Sequence, residues 1–139
     1  MTRCILDTHI LVWFLENDKR LPESIREDIE YMQHRYCVSV LTLLEIDNLQ
    51  KLKKINLQYT IKEILEQLQE SCIDVLFDIS AYDLDVLYNL DMKTINGKTH
   101  GDYIDRAIIS LAISSKYTMI SADTKFPHYI NSGLRLIEI

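Results

Sequence analysis

Two aspartates each follow a short apolar segment that the sequence predicts to be a strand. Asp7 comes directly after Arg3–Leu6, and Asp123 comes directly after residues 117–122. Short apolar runs of this kind are typical of buried strands. The ends of parallel strands meet at one edge of a sheet, where α/β proteins bind ligands. The two carboxylates are therefore candidates for a shared site, although Asp123 alone would also fit an Asx turn.

A glutamate is predicted on the apolar face of a helix, where a carboxylate is costly. Glu45 is spaced one helical turn from Leu41 and Leu49, with Leu44 and Leu52 beside them. Residues three and four positions apart share a helix face. The spacing predicts that Glu45 lies on the buried stripe, where neither a helix cap nor the helix dipole explains an acid.

Asp105 begins a long predicted helix, and the residues three and four positions later are isoleucines. Basic partners are scarce, because Arg106 beside Asp105 and Arg3 before Asp7 are not placed face to face with those acids. Carboxylates that leave water together must be paired, protonated or bound to a metal. An all-oxygen donor set without Cys/His pairing favours Mg²⁺ or Mn²⁺ over Zn²⁺.

The length of 139 residues predicts one domain spanning residues 1–139, and the 47% hydrophobic content is typical of a globular protein. No apolar stretch approaches the roughly 20 residues of a membrane span, and no signal-peptide pattern is present. We therefore expect a cytoplasmic protein without a membrane partner. A formal net charge of -6 argues against binding nucleic acid by bulk attraction. Bound cations would invert that field locally.

Basic residues that could hold phosphates are scattered through the chain. We interpret the lysine cluster at residues 51–54 as the solvent-exposed last turn of a helix, which the helix dipole favours. The candidates are Lys51, Lys53, Lys54, Lys93, Lys98 and Lys125.

Three cysteines fall in or beside predicted strands, with no CxxC spacing between them. An odd number without paired spacing favours buried, reduced thiols over a disulfide framework. They are Cys4, Cys37 and Cys72.

Strand and helix patterns alternate, which predicts an α/β fold with a mainly parallel sheet. The glycine-containing segment Met92–Gly101 is predicted to be a loop. Right-handed crossovers would bring all four acids to one crevice. The predicted strands are Arg3–Leu6, Tyr36–Val40, Ile73–Phe77, Thr118–Ser121 and Leu134–Ile139. The predicted helices are Thr8–Leu15, Pro22–Gln33, Leu41–Lys54, Thr60–Glu70, Ser80–Leu90 and Ile104–Lys116.

Four fragments form an ordered pattern across most of the chain. They are Leu6–His9; Val38–Ser39 followed by Thr42, Glu45 and Ile46; His100–Arg106; and Ser121–Asp123. In this order and spacing they resemble the PIN-domain ribonucleases, especially VapC-type toxins of bacterial toxin–antitoxin pairs. The resemblance implies a PIN-like three-layer α/β/α sandwich on a mainly parallel sheet of four to five strands.

The resemblance also implies an endoribonuclease toxin that cleaves RNA phosphodiesters with Mg²⁺ or Mn²⁺, forms a homodimer and is neutralised by a cognate antitoxin protein. The family's catalytic acids carry over onto Asp7, Glu45, Asp105 and Asp123. These four would hold the metal, with Asp7 central and Asp102 as a further candidate ligand. One or two metal ions fit the pattern equally, and the RNA target is left open.

Three positions depart from the family pattern without removing a carboxylate. Leu44 stands where many relatives have tryptophan, Tyr103 where they have proline, and Leu49 where they have lysine. The last change leaves inherited RNA contacts open.

Several nearby residues also have simpler structural interpretations. Asp102 precedes a helix and is interpreted first as its N-cap. Thr8 is interpreted as the cap of the helix after Asp7, or as a hydroxyl that orders a metal-bound water. We expect His9 and His100 near the site as hydrogen-bonded structural residues.

Two other classes of function compete with the nuclease. One is a non-catalytic PIN-like module that binds protein or RNA and retains the acids without using them in catalysis. The other is a receiver-type signalling domain, which also gathers acids at strand ends around Mg²⁺. The positions of Glu45 inside a helix and Asp105 at the start of another disfavour a phospho-acceptor pocket.

Overall fold

A sheet of five parallel strands forms the centre of the protein in a computed structural model that describes residues 2–139. The order across the sheet is β3-β2-β1-β6-β7, so β1 is central and pairs with both β2 and β6. A mainly parallel sheet of four to five strands is thus confirmed. The strands of this sheet are β1 (Arg3–Leu6), β2 (Arg35–Ser39), β3 (Asp74–Leu76), β6 (Thr118–Ser121) and β7 (Arg135–Glu138).

Helices cover both faces of the sheet and complete three layers. Helices α1 to α4 share one hydrophobic core with one face, and α6, the 3₁₀ segment Phe126–Ser132 and Leu90 at the end of α5 share a second core with the other. The helices are α1 (Thr8–Glu16), α2 (Glu23–Glu30), α3 (Val40–Lys51), α4 (Ile61–Glu70), α5 (Ala81–Asn89) and α6 (Tyr103–Ser115).

Strict alternation along the strands separates the two cores. Along β1, Cys4 and Leu6 belong to the core of α1 to α4, whereas Ile5 between them belongs to the core of α6. In β6, Met119 and Ile120 divide in the same way. Successive side chains of a strand point to opposite faces, so these apolar runs are buried on both sides.

The segment predicted as a loop contains a small hairpin, so that prediction was wrong in part. Strands β4 (Thr94–Ile95) and β5 (Lys98–Thr99) pair antiparallel around Asn96 and Gly97. Both turn residues have positive φ, 52° and 79°, as a two-residue turn of Asn-Gly requires. This hairpin leads directly into the start of α6.

Two predicted helices end earlier than expected, because left-handed residues stop them. Met32 with φ 52° and Lys53 with φ 56° follow the ends of α2 and α3. A residue in this conformation is a frequent helix terminator. The lysine cluster after α3 is solvent-exposed, as expected, and Lys51 pairs with Asp47 at 2.8 Å.

Two buried arginines bind the carbonyl ends of helices rather than carboxylates. Arg106 donates to the carbonyls of Leu90 and Asp91 after α5, at 2.8 and 3.1 Å. Arg26 does the same in the last turn of α1, donating to the carbonyl of Trp13 at 3.3 Å. Positive charge is favourable at a helix C-terminus, where carbonyls lack helical partners.

The cysteines are all free, and Cys4 and Cys37 are buried as expected. Cys72 is exposed, so its predicted burial was wrong. It adopts φ 55° just past the C-cap of α4, in the turn between α4 and β3.

Among residues 2–139, every helix is too short or too polar to cross a lipid bilayer.

Candidate active site

Asp7 lies at the carboxyl end of β1 and is held by two hydrogen bonds from the protein. Its Oδ1 accepts from the backbone N–H of Thr8 at 2.8 Å, and its Oδ2 accepts from the Ser121 hydroxyl at 2.7 Å. Asp7 is therefore the N-cap of α1, and the expectation that Thr8 caps this helix was wrong. The extended backbone of Asp7 allows its side chain to turn back onto the first N–H of the helix.

The Thr8 hydroxyl links α1 to α3. It donates to Glu45 Oε2 at 3.0 Å, which places Glu45 beside the end of β1. The glutamate is half-buried, at the margin of the helix face that Thr42 and Ile46 bury.

The buried stripe predicted for α3 was wrong for two of its leucines. Leu44 is 60% exposed and Leu52 is 54% exposed. The helix is rotated so that Thr42, Leu43 and Ile46 face the core. Glu45 borders that face and also reaches the site.

Asp123 reaches the same edge through Ser121. The Ser121 hydroxyl accepts from the Asp123 N–H at 3.0 Å while donating to Asp7. The Asp123 carboxylate accepts from the Lys125 N–H at 2.8 Å, which is the Asx turn considered from the sequence.

Asp105 lies in the first turn of α6, and its side chain is turned toward His100. Its Oδ2 lies 3.1 Å from His100 Nε2, and His100 Nδ1 lies 2.6 Å from the hydroxyl of Tyr129. All three side chains are buried. Asp102 is the N-cap of α6, as expected, and its Oδ1 accepts from the Asp105 N–H at 3.0 Å.

The pKa of Asp105 is strongly raised in this site. Burial raises the pKa of its carboxyl to about 8, and the charges of the other four acids contribute to the rise. Like charges at close range disfavour ionisation of each other. Asp7, Glu45, Asp102, Asp105 and Asp123 are therefore all within electrostatic range at one edge of the sheet.

The same causes act on Asp7 and Glu45. Burial raises the pKa of Asp7, and the Ser121 and Thr8 hydrogen bonds oppose that rise. Burial raises the pKa of Glu45 as well, with the Thr8 hydrogen bond opposing it. His9 is exposed but close enough to favour both ionised forms. Burial and the charge of Lys125 lower the pKa of His100.

Basic side chains give the cluster little compensation. Arg3 donates to the Tyr117 hydroxyl at 3.1 Å, and Arg106 binds the carbonyls after α5, so neither pairs with Asp7 or Asp105. Lys125 approaches Asp123 at 3.4 Å. Excess negative charge of this kind suits a divalent cation with oxygen ligands.

The donor set fits such a cation in its chemistry. Across residues 2–139, however, no three Asp, Glu, His or Cys side chains stand as a ready-made coordination set. Hydrogen bonds from Ser121, Thr8 and His100 turn the carboxylates toward protein partners instead.

A groove of about 420 Å³ adjoins the acids between the β4–β5 hairpin and residues 124–125. Its lining includes Lys98, Lys125 and His100. In a chain of net charge -6, this places two cations beside the acidic cluster.

The sequence profile of the PIN domain matches residues 4–130. The chain belongs to the PIN domain family. That match includes every acid of the cluster.

This PIN domain is similar in fold to two crystal structures of toxin–antitoxin complexes. One is VapBC2 from Rickettsia felis bound to a DNA fragment from their promoter, with TM-score 0.67 and 20% identity. The other is DNA-bound VapBC from Salmonella typhimurium, with TM-score 0.65 and 24% identity. Each comparison covers 99% of this chain and 98% of the other chain. None of the curated proteins compared with this PIN domain matches it significantly.

Sequence reasoning placed the five acids of this PIN domain but missed two of their partners. Ser121 was treated as the end of a strand and as part of the family pattern, without a hydrogen-bonding role, and no role was assigned to Tyr129. A signal existed for Ser121, since a hydroxyl next to a strand end can reach a neighbouring carboxylate. No periodic signal pointed to Tyr129, because its contact joins residues 29 positions apart.

Proposed function

We propose that this PIN domain is a metal-dependent endoribonuclease that hydrolyses RNA phosphodiester bonds, acting as the toxin of a toxin–antitoxin pair. One observation carries the proposal. Acids from four separate segments gather at one sheet edge, where Thr8 bonds Glu45 and Ser121 bonds Asp7, and where burial, with the charges of the other acids, raises the pKa of Asp105 to about 8. Membership of the PIN domain family and the fold shared with VapBC chains support the same reading.

The proposed metal ligands are Asp7, Glu45, Asp105 and Asp123, with Asp7 central and Asp102 as a further ligand. Mg²⁺ is the expected ion and Mn²⁺ the alternative, because all donors are carboxylate oxygens. Mg²⁺ usually keeps several waters, so acids that do not converge on one point can still share it through water.

The chemistry follows from what each group supplies. A bound divalent cation supplies a Lewis acid that polarises the scissile phosphate, lowers the pKa of the attacking water and offsets charge on the leaving oxygen. Ser121 and the Thr8 backbone hold the Asp7 carboxylate, and the Thr8 hydroxyl holds Glu45. Because water attacks the phosphorus directly, the reaction needs no nucleophilic side chain.

The basic groove supports RNA as the substrate. Lys98 and Lys125 would hold phosphates next to the scissile one, since lysine binds phosphate as a mobile point charge. This arrangement places positive charge beside the proposed site in a chain whose net charge is otherwise unfavourable to nucleic acid.

The proposal includes partners and setting. We propose that residues 1–139 act as one cytoplasmic domain, bind a cognate antitoxin protein and form a homodimer. The fold shared with VapBC chains supports the antitoxin. Exposed apolar residues beside a groove between α5 and α6, including Ile79, Leu84 and Tyr103, support further protein contacts.

Cleavage of structured RNAs in Mg²⁺ or Mn²⁺ by the wild type and by Asp7→Asn tests the proposal. We expect the wild type to cleave and Asp7→Asn to lose cleavage with its circular dichroism spectrum unchanged. Asp47→Asn is a matched control, because Asp47 lies on α3 and pairs with Lys51 on the surface. Cleavage by Asp7→Asn at the wild-type rate would overturn the proposal that this site is a nuclease active site. RNA binding without cleavage by the wild type would favour the non-catalytic module.

A further inference from the structure

We propose that His100 and Tyr129 are positioning residues that fix the carboxylate of Asp105 for metal binding. The inference rests on the proposed function, because it assigns a task to side chains that do not themselves touch metal or RNA. The juxtaposition that carries it is a buried chain from the Tyr129 hydroxyl through both ring nitrogens of His100 to Asp105 Oδ2.

The chain of hydrogen bonds from Tyr129 through His100 to Asp105 is short and buried from solvent. Its two links measure 2.6 Å from Tyr129 to His100 and 3.1 Å from His100 to Asp105. Tyr129 is fully buried and His100 is 5% exposed. A buried imidazole with both nitrogens bonded to protein has little freedom to turn, so it holds what it contacts.

The order of donors follows from the chemistry of the three groups. A neutral imidazole has one N–H, and an ionised carboxylate only accepts. When Asp105 is ionised, as metal binding requires, His100 donates from Nε2 to Asp105, which leaves Nδ1 to accept from the Tyr129 hydroxyl. Tyr129 selects the tautomer, and the tautomer directs a hydrogen bond at one oxygen of Asp105.

The other oxygen of Asp105 is left for the site. Within residues 2–139, no hydrogen bond of the structure involves Asp105 Oδ1. The backbone of Asp105 is fixed separately by the Asp102 cap at 3.0 Å. Together these contacts fix the carboxylate and leave one of its oxygens without a hydrogen-bond partner among residues 2–139.

The same chain of hydrogen bonds also connects the site to the β4–β5 hairpin. His100 follows β5, and its N–H donates to the Lys93 carbonyl at 2.8 Å. The ammonium of Lys93 lies 5.6 Å from the centre of the Tyr129 ring. The orientation of Asp105 thus depends on the β4–β5 hairpin being folded against the 3₁₀ segment.

Three variants test the chain through Mn²⁺ binding, measured by electron paramagnetic resonance without RNA. We expect His100→Leu to weaken binding by about 10- to 100-fold, as loss of a partner that orients a metal ligand does. His100→Gln should regain most of that loss, because its amide can donate to Asp105. The Mn²⁺ affinity of Tyr129→Phe should lie between the affinities of His100→Leu and His100→Gln. Tyr36→Phe is the matched control. Tyr36 is buried, and its hydroxyl bonds to Asp28 on α2, outside the cluster of proposed metal ligands.

Nitrogen-15 spectra of the histidine side chains supply a second readout that a general loss of stability would not reproduce. In the presence of Mg²⁺ the wild type should show His100 protonated at Nε2 only, with its signals assigned by their absence in His100→Gln. Tyr129→Phe should mix the two tautomers.

An Nδ1-protonated His100 in the wild type, or unchanged Mn²⁺ affinity in a folded His100→Leu, would overturn the inference. Failure of the nuclease proposal is seen separately, as RNA left uncleaved by a wild type that still binds Mn²⁺.

Discussion

The Ser121 hydroxyl donates to Asp7 Oδ2 at 2.7 Å, joining the ends of two neighbouring strands from residues 114 positions apart. The oxygen of that Ser121 hydroxyl also accepts from the Asp123 N–H at 3.0 Å. One serine thus connects two of the proposed metal ligands.

Replacing this serine by alanine should weaken both stability and catalysis. Ser121→Ala leaves a buried carboxylate oxygen without its donor, which costs about 1–3 kcal/mol in the free energy of unfolding. Because the Ser121 bond lowers the pKa of Asp7, its loss raises that pKa further. The pH profile of kcat/KM should therefore shift to higher pH.

Urea unfolding and RNA cleavage as a function of pH check this prediction. Ser110→Ala is the matched control, because Ser110 is a buried serine on α6 that donates to the Arg106 carbonyl at 2.8 Å. An identical pH profile in Ser121→Ala and Ser110→Ala would contradict the assigned role.

The hydroxyl of Thr8 should matter more than its methyl group. Thr8→Val keeps the shape but removes the hydrogen bond to Glu45, and we expect catalysis to fall about 10- to 100-fold. Thr8→Ser keeps the hydroxyl and should retain most of the rate. Initial rates at saturating Mg²⁺ measure the difference. Equal losses in the two variants would show that packing, not the hydrogen bond, is responsible.

Stability without divalent cations should decrease as pH rises. The pKa of Asp105 is raised from 3.8 to about 8, so the folded protein binds this proton more tightly than the unfolded chain does. The stability that results is complete below about pH 4 and is lost as pH rises through about 8. Asp7 and Glu45, whose pKa values are also raised, act in the same direction.

Urea midpoints in EDTA between about pH 5 and 8 measure this dependence. Asp105→Asn removes the titrating group and should flatten the slope in part. Saturating Mg²⁺ should oppose the slope, since the cation binds the ionised acids. A slope in Asp105→Asn as steep as in the wild type would rule out Asp105 as a main cause.

The lysines of the groove should act on RNA binding more than on chemistry. Lys98→Ala and Lys125→Ala should each raise KM several-fold and lessen its dependence on salt, because each removes a phosphate contact. Lys53→Ala, in the exposed cluster after α3, should leave KM unchanged. Steady-state kinetics over a range of salt concentrations separate these effects. A matching rise in KM for Lys53→Ala would point to general charge rather than to the groove.

The sheet and the convergence of the acids were predictable because their signals are local. Apolar runs that end in Asp7 and Asp123 mark strand ends, and parallel topology brings such ends together. The hairpin was missed, although Asn96 and Gly97 form a strong turn signal. Strands of two residues are too short to show alternation.

Rotation of a helix about its axis was harder to predict. Leu41, Leu44, Leu49 and Leu52 suggested one stripe, yet α3 buries Thr42, Leu43 and Ile46 instead. Which face a helix presents depends on the strand and the helices it meets, and spacing within one segment does not contain that information. His100 was expected near the site as a hydrogen-bonded residue, but its pairing with Asp105 and Tyr129 was not predicted, because it depends on rotamers of residues brought together by the fold.

The position of β6 in the sheet has a consequence for synthesis. Central strand β1 gains its partner on one side when residues 35–39 leave the ribosome, but its partner on the other side comes only with residues 118–121. Until then Asp7 has no Ser121 beside it, and the last acid has yet to be translated. Under the proposed function, a chain terminated before residue 121 would leave RNA uncleaved, and activity would begin only after Ser121 and Asp123 had been translated.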